Sequence, residues 1–205
     1  HHDRRSRRRQ WWALAAALLL AIASAGIAAL VVGSATDPRL LIRIAMLERQ
    51  AQEAAAAQRF VVPTPASPGA TTALQAVVAL ERIDTRDARS RARALRASFA
   101  TALAARGDAY WELPGGRGYA ADFYAAAALF EPERSVPRTR ALRTDGELAV
   151  LRDQALRGEF SDAELEQGQL LTTLATASDP PRALTEARAR LAAVDRLPAL
   201  ARPPV

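Results

Sequence analysis

The chain contains no cysteine and no lysine. Without cysteine it can form no disulfide bond, no thiolate metal site and no cysteine nucleophile. Without lysine it cannot contain a phosphate-binding P-loop, which needs that residue beside its glycines. The two histidines stand at positions 1 and 2, so they offer no acid–base or metal chemistry to the body of the chain.

Aromatic residues are also rare, and valine and isoleucine are sparse, whereas alanine and leucine supply most of the apolar half of the composition. Alanine and leucine favour helices, while β-branched and aromatic residues favour strands. We find no convincing strand pattern. The sequence therefore predicts an all-α protein, with one N-terminal transmembrane helix followed by helical hairpins.

The longest uncharged apolar segment covers residues 11–33. A helix of this length reaches ~35 Å, enough to cross a hydrocarbon core ~30 Å thick. Trp11 and Trp12 stand at its start, where the headgroup region favours aromatic rings. The alternative is a cleaved secretory signal ending near Ala25 or Ala35, although the apolar run is longer than a usual signal.

The basic excess of the chain is concentrated before this apolar segment. Residues 1–10 contain five arginines, among them Arg7, Arg8 and Arg9, whereas the later arginines are interspersed with acids. By the positive-inside rule the tail stays in the cytoplasm and the rest lies outside. We therefore predict a single-pass protein of the cytoplasmic membrane that contacts lipid and has no nucleic-acid-binding surface.

Beyond the apolar segment, proline, glycine and capping residues divide a series of helical patterns. Capping boxes begin at Thr144 and Ser161, and Gly158 stands where a helix C-cap is expected. The predicted elements are a membrane-proximal helix within 34–60, a proline-rich loop at 61–70, helices at about 72–83, 87–113 and 119–130, C-terminal helices within 137–197 and a frayed tail at 198–205.

Residues 107–132 resemble a tetratricopeptide repeat, in which small and aromatic residues recur at fixed positions of two packed helices. The positions that match this pattern are Gly107, Tyr110, Ala120, Tyr124, Ala127 and Pro132. The resemblance implies an α-solenoid type of packing for a repeat core at 71–136, with its best unit at about 99–132. The turn here has one extra residue, and Arg106 replaces a usual leucine.

In such repeats the first helix lines a concave groove that binds protein or peptide partners. The resemblance places five residues there, namely Thr101, Ala104, Asp108, Trp111 and Glu112. Trp111 is the expected anchor, because tryptophan is enriched among binding hot spots. Asp108 and Glu112 would favour a basic partner. The alternative is that Trp111 packs in the core.

The layout of basic tail, single span and helical-repeat domain resembles the C-terminal extracytoplasmic part of bacterial transmembrane serine/threonine kinases, especially myxobacterial ones. A kinase domain would lie upstream of His1, because this segment lacks the catalytic lysine. The implied function is a membrane-anchored interaction or sensor module of a signalling protein. A free-standing envelope assembly or secretion scaffold is the alternative.

The sequence offers no catalytic constellation. Asp108 and Glu112 share a helix face, but no partner pocket is evident for them, and no nucleophile stands beside a base. We therefore expect this segment not to be an enzyme, and we expect no catalytic residue, metal, cofactor or small-molecule substrate. An enzyme with an unrecognised site is the third alternative.

Overall fold

The computed structural model describes residues 37–195, with side chains as far as Ala189. The chain divides after residue 38, and the fold described below is that of the second unit. All secondary structure in the described residues is helical, which confirms the all-α prediction. The helices are α1 (Pro38–Ala56), α2 (Ala73–Glu81), α3 (Arg86–Trp111), α4 (Arg117–Phe130), α5 (Ser135–Arg140), α6 (Asp145–Arg157), α7 (Asp162–Thr176) and α8 (Pro180–Asp195).

Several predictions about the chain ends lie outside the described residues. These are the basic tail at 1–10, the transmembrane helix at 11–33, the frayed tail at 198–205 and the proposed membrane-interface residues Arg7, Arg8, Arg9, Trp11 and Trp12. Within residues 37–195, none of the helices has the length and apolar character that crossing a bilayer would need.

Helices α3 and α4 form an antiparallel hairpin at the centre of the unit. Phe99, midway along α3, contacts Phe130 at the end of α4, whereas Tyr110, late in α3, contacts Phe123. Almost every side chain of α4 from Ala120 onward is buried, as expected for a helix that is apolar all round. Helices α3, α5 and α6 pack against α4.

The hairpin depends on a close approach at Gly107. A Cβ atom added to this residue would lie 2.8 Å from Cζ of Tyr124, closer than carbon atoms pack. The Tyr124 ring thus occupies the space above α3 that a larger residue at position 107 would fill. Ala120, one turn earlier on α4, is fully buried as well. Small residues on both helices allow the approach.

An aromatic cluster anchors the proline-rich loop to this hairpin. Phe60 meets Phe99 and Phe130 edge to face, with ring centroids 5.7 and 6.4 Å apart. The carbonyl oxygens of Arg59 and Phe60 accept hydrogen bonds from the first two amides of α2. These amides have no partner within their own helix, so the loop satisfies them and positions α2.

Arg96 joins three helices, although it lies off the apolar stripe of α3. Its guanidinium donates two hydrogen bonds to the carboxylate of Glu81 at the end of α2. It also donates to the carbonyl oxygens of Leu129 and Phe130, in the last turn of α4. A cation is favourable there because the helix C-terminus carries partial negative charge.

The C-terminal helices begin and end where their capping residues predict. Thr144 with Glu147, and Ser161 with Glu164, form the two predicted capping boxes. Gly158 ends α6 in the left-handed conformation, with φ of +71°, as its C-cap position predicts. A hydrogen bond of 2.9 Å from Gln75 Nε2 to the Ala155 carbonyl oxygen ties α2 to α6.

Two features differ from the sequence prediction. Helix α5 was not among the helices that the sequence predicted individually. Pro137 lies in its first turn, where a missing amide costs nothing. The membrane-proximal helix also ends earlier than expected, at Ala56, and Gln58 after it has a φ of +62°. That left-handed conformation stops the helix.

Replacing Gly107 tests the close approach of α3 and α4. The Gly107→Val variant should lose about 1–3 kcal/mol of unfolding free energy, because the added carbons collide with a ring that cannot move freely. Gly118→Val is the matched control, since a Cβ atom at that position meets nothing within 4 Å. Urea unfolding of the full chain, followed by circular dichroism, measures both. Equal stabilities would show that the Tyr124 ring is free to move.

Tyr110 should make the free energy of unfolding depend on pH in the alkaline range. Its buried hydroxyl donates a hydrogen bond of 2.7 Å to the Leu174 carbonyl oxygen, and burial raises the pKa of Tyr110. A raised pKa adds stability that is complete below about pH 10 and is lost as the pH rises through the folded-state pKa. Tyr110→Phe should therefore be about 1–3 kcal/mol less stable at neutral pH, with the deficit shrinking above pH 10.

Urea unfolding across this pH range measures the deficit. Tyr119→Phe is the control, because the Tyr119 hydroxyl makes no hydrogen bond within the described residues. A constant difference between Tyr110→Phe and the parent chain at all pH values would contradict the coupling.

Candidate functional site

Trp111 lies half-buried at the C-terminal end of α3. Its ring meets the Tyr124 ring edge to face, with centroids 5.6 Å apart. The guanidinium carbons of Arg117 and Arg140 lie 5.5 and 5.0 Å from the centroid of the Trp111 ring. We call the group of Asp108, Trp111, Arg117, Tyr124 and Arg140 the Trp111 surface.

Three members of the Trp111 surface form a closed hydrogen-bond network. The Tyr124 hydroxyl donates to Asp108 Oδ1 at 2.6 Å. Arg140 Nη1 donates to the same hydroxyl at 2.8 Å and to the same carboxylate oxygen at 3.0 Å. The side chains of Arg140 and Asp108 remain 35% and 62% exposed, so the network is open to solvent on one side.

Electrostatics maintain the donor and acceptor roles in this network. Burial, together with the hydrogen bond to Asp108, raises the pKa of Tyr124. The hydrogen bond to Tyr124 raises the pKa of Arg140 above its ordinary value. At neutral pH the phenol is therefore protonated and able to donate, and the guanidinium is charged.

The predicted groove residues are only partly brought together. Asp108 and Trp111 share the Trp111 surface, and Glu112 is the exposed C-cap residue of α3 beside it. Thr101 is exposed farther along α3, and its hydroxyl accepts a hydrogen bond of 3.0 Å from Arg134. Ala104 is half-buried against the core. The Trp111 ring packs on Tyr124 at the edge of the core and is still partly accessible, and its role as a partner anchor stays a prediction.

The residues predicted to pack the repeat lie mostly in the interior. Pro132, just after α4, is the exception, because it is exposed. The buried ones are Gly107, Tyr110, Ala120, Tyr124 and Ala127.

Sequence reasoning missed the arginines of this surface. Arg140 reaches Asp108 from a helix 32 residues later, and no local spacing signals such a contact. Arg117 begins α4 and looks like an ordinary solvated residue in the sequence. Arg106, noted only as a departure from the repeat pattern, lies over the Phe60 ring at 5.3 Å, and burial lowers its pKa.

The arrangement is suited to binding rather than to proton transfer. Asp108 already accepts hydrogen bonds from Tyr124 and Arg140, so it is poorly placed to act as a general base. In the part of the chain that the structure describes, no group of acidic, histidine or cysteine side chains is placed to hold a metal ion.

Comparisons of the chain with protein-family models, with curated proteins and with solved structures gave no match. The likeness to tetratricopeptide repeats and to the layout of transmembrane kinases therefore depends on the residues of this chain alone.

Removing Arg140 should lower stability more than removing its neighbour Arg138. Both belong to α5 and both form ion pairs. Arg138 pairs only with Asp145 at the surface, whereas Arg140 also binds the Tyr124 hydroxyl and lies over two aromatic rings. The urea midpoint of Arg140→Ala should therefore fall clearly below that of Arg138→Ala. Equal midpoints would mean that the cluster contributes no more than a surface ion pair.

Proposed function

We propose that this chain is a protein-interaction module, tethered to the cytoplasmic membrane by its apolar segment at 11–33. The Trp111 surface is its binding site. The observation that carries the proposal is the convergence of one half-buried tryptophan and two arginines on one accessible patch, above the buried ring of Tyr124. Tryptophan, tyrosine and arginine are the residues most enriched among interface hot spots.

Trp111 is the proposed anchor of this patch. Edge-to-face packing on Tyr124 and the two overlying guanidinium groups hold the indole in one orientation. An aromatic side chain that is ordered before binding loses little conformational entropy when a partner covers it. Pre-ordering therefore favours tight contact with a partner that buries the remaining exposed face of the ring.

The charges of the Trp111 surface change which kind of partner we expect. Asp108 is already paired with Arg140, so it gives little reason to expect a basic partner. Glu112 is the remaining exposed acid beside Trp111, and Arg117 is an exposed cation that lies over the ring. We propose a protein segment that supplies apolar or aromatic side chains, with both charge signs at its edges.

The packing of the α3–α4 hairpin also supports the proposal of an interaction module. The α3–α4 hairpin has the small and aromatic residues of a tetratricopeptide unit at its contact. We propose that it belongs to an irregular helical-repeat domain in the periplasm, acting as the sensor or docking part of a signalling protein such as a transmembrane serine/threonine kinase.

A photo-crosslinking amino acid in place of exposed Glu112 tests the proposal in living cells. It should capture a specific protein, and Trp111→Ala should weaken the capture about thirtyfold, as loss of a hot spot worth about 2 kcal/mol predicts. The same crosslinker at exposed Arg152, on α6, is the matched control and should not capture that protein.

Stability must be measured alongside capture, because Trp111→Ala also removes the contact with Tyr124. Trp111→Phe retains a ring for Tyr124 and should keep the melting temperature closer to that of the parent chain. If both variants capture the partner normally and only stability falls, Trp111 is a packing residue and the proposed site is wrong.

A further inference from the structure

A large cavity lies away from the Trp111 surface, between α4, α6, α7 and residues 58–62. Its volume is about 600 Å³, within the range of small-molecule binding sites. None of the five residues of the Trp111 surface lines it. The sequence predicted no small-molecule ligand, and nothing in the spacing of the helices signals this space.

Small residues create the cavity. Ala125 and Ala126 on α4, Gly146 on α6 and Ala175 on α7 line its walls where a packed bundle would hold larger side chains. Gly168 brings α7 against the loop, since a Cβ atom there would lie 2.8 Å from the Pro63 carbonyl oxygen. This contact holds α7 close to Val62 and Pro63, while the space between α7 and helices α4 and α6 stays unfilled.

The walls of the cavity are mostly apolar. Exposed Val150 stands at the rim, and the apolar interior residues include Phe60, Val62, Leu103, Phe123, Leu151 and Leu171. Water in such a space makes few hydrogen bonds to the protein. An apolar molecule that displaced this water would gain the free energy of removing both surfaces from solvent.

Each charged side chain that lines the cavity already has a partner. Asp122 accepts hydrogen bonds from Arg143 at 3.0 Å and from Gln167 at 2.7 Å. Glu147 and Glu164 are both engaged in the capping boxes of their own helices. Among the described residues that line the cavity, the cation Arg143 is already paired with Asp122, so no cation is free to neutralise an anionic ligand, and burying a carboxylate there would be costly.

Amide groups supply the remaining polarity. Gln154 on α6 lines the cavity, and the oxygen of its side-chain amide accepts no hydrogen bond within the described residues. A hydroxyl or amide N–H group of a ligand that reaches Gln154 would provide the missing donor.

We propose that this cavity binds an uncharged, predominantly apolar small molecule that carries one hydroxyl or amide hydrogen-bond donor. Binding would join α4 to α6 and α7, and it would do so independently of any partner at the Trp111 surface.

Photolabelling with a diazirine-bearing analogue of decanol tests the proposal on the purified full chain, kept soluble with an amphipathic polymer in place of detergent. Mass spectrometry should locate the label on α4, α6 and α7. Excess unlabelled decanol should reduce the labelling about tenfold, and decanoate of the same chain length should not, because its carboxylate would be buried without a partner.

Variants that fill the cavity separate specific binding from general apolar adsorption. Ala126→Phe and Ala175→Leu, from opposite walls, should each abolish saturable labelling, while Ala97→Phe on an exposed face of α3 should leave it unchanged. Melting curves identify any variant that fails to fold, and either cavity variant alone is sufficient. Labelling spread over the whole chain, equal competition by decanoate, or full labelling of a folded cavity variant would overturn the proposal.

Discussion

The contact between Gly107 and the Tyr124 ring is the constraint on which the rest of the structure depends. Because position 107 has no side chain, α4 approaches α3 closely enough for Tyr124 to lie over the helix. The phenol then reaches Asp108, one residue along, and Arg140 can bind both groups. The same approach brings Phe130 against Phe99 and lets Phe60 close the cluster. The absence of a Cβ atom at Gly107 thus sets the position of α4, the place where Phe60 packs and the geometry of the Trp111 surface.

Several arginines of this chain form structural contacts that the charge pattern of the sequence does not indicate. With no lysine present, every cationic side-chain contact in residues 37–189 uses a planar guanidinium, which can donate several hydrogen bonds and also lie against aromatic rings. Arg96 uses its donors to join the ends of α2 and α4. Arg140 uses both properties at the Trp111 surface. Arginines that look like solvated surface in the sequence are therefore partly structural, and the net charge overstates how many are free for partners.

Small residues have opposite consequences at two places in the fold. At the α3–α4 contact, Gly107 and Ala120 bring helices together and a large ring fills the gap. Between α4, α6 and α7, alanines and glycines line a space that no side chain fills. The first arrangement yields an ordered surface with charges of both signs, suited to a protein partner. The second yields a mostly apolar cavity, suited to an uncharged small molecule. An alanine-rich composition permits both, and only the neighbouring helices decide which occurs.

The sequence by itself determined the helical class and most helix boundaries, because capping residues, glycine and proline act through contacts within a few residues. Thr144, Ser161 and Gly158 were enough to place the ends of α6 and the start of α7. The resemblance to a tetratricopeptide unit placed Gly107 and Tyr124 among the packing residues, but it did not predict that the Tyr124 ring would cover Gly107. Only the tertiary structure decided that Arg140 covers Asp108 and Trp111, that Arg96 is largely buried, and that a cavity stands beside α4. These features depend on side chains from helices far apart in the chain, and local periodicity carries no information about which distant helix will pack on which face.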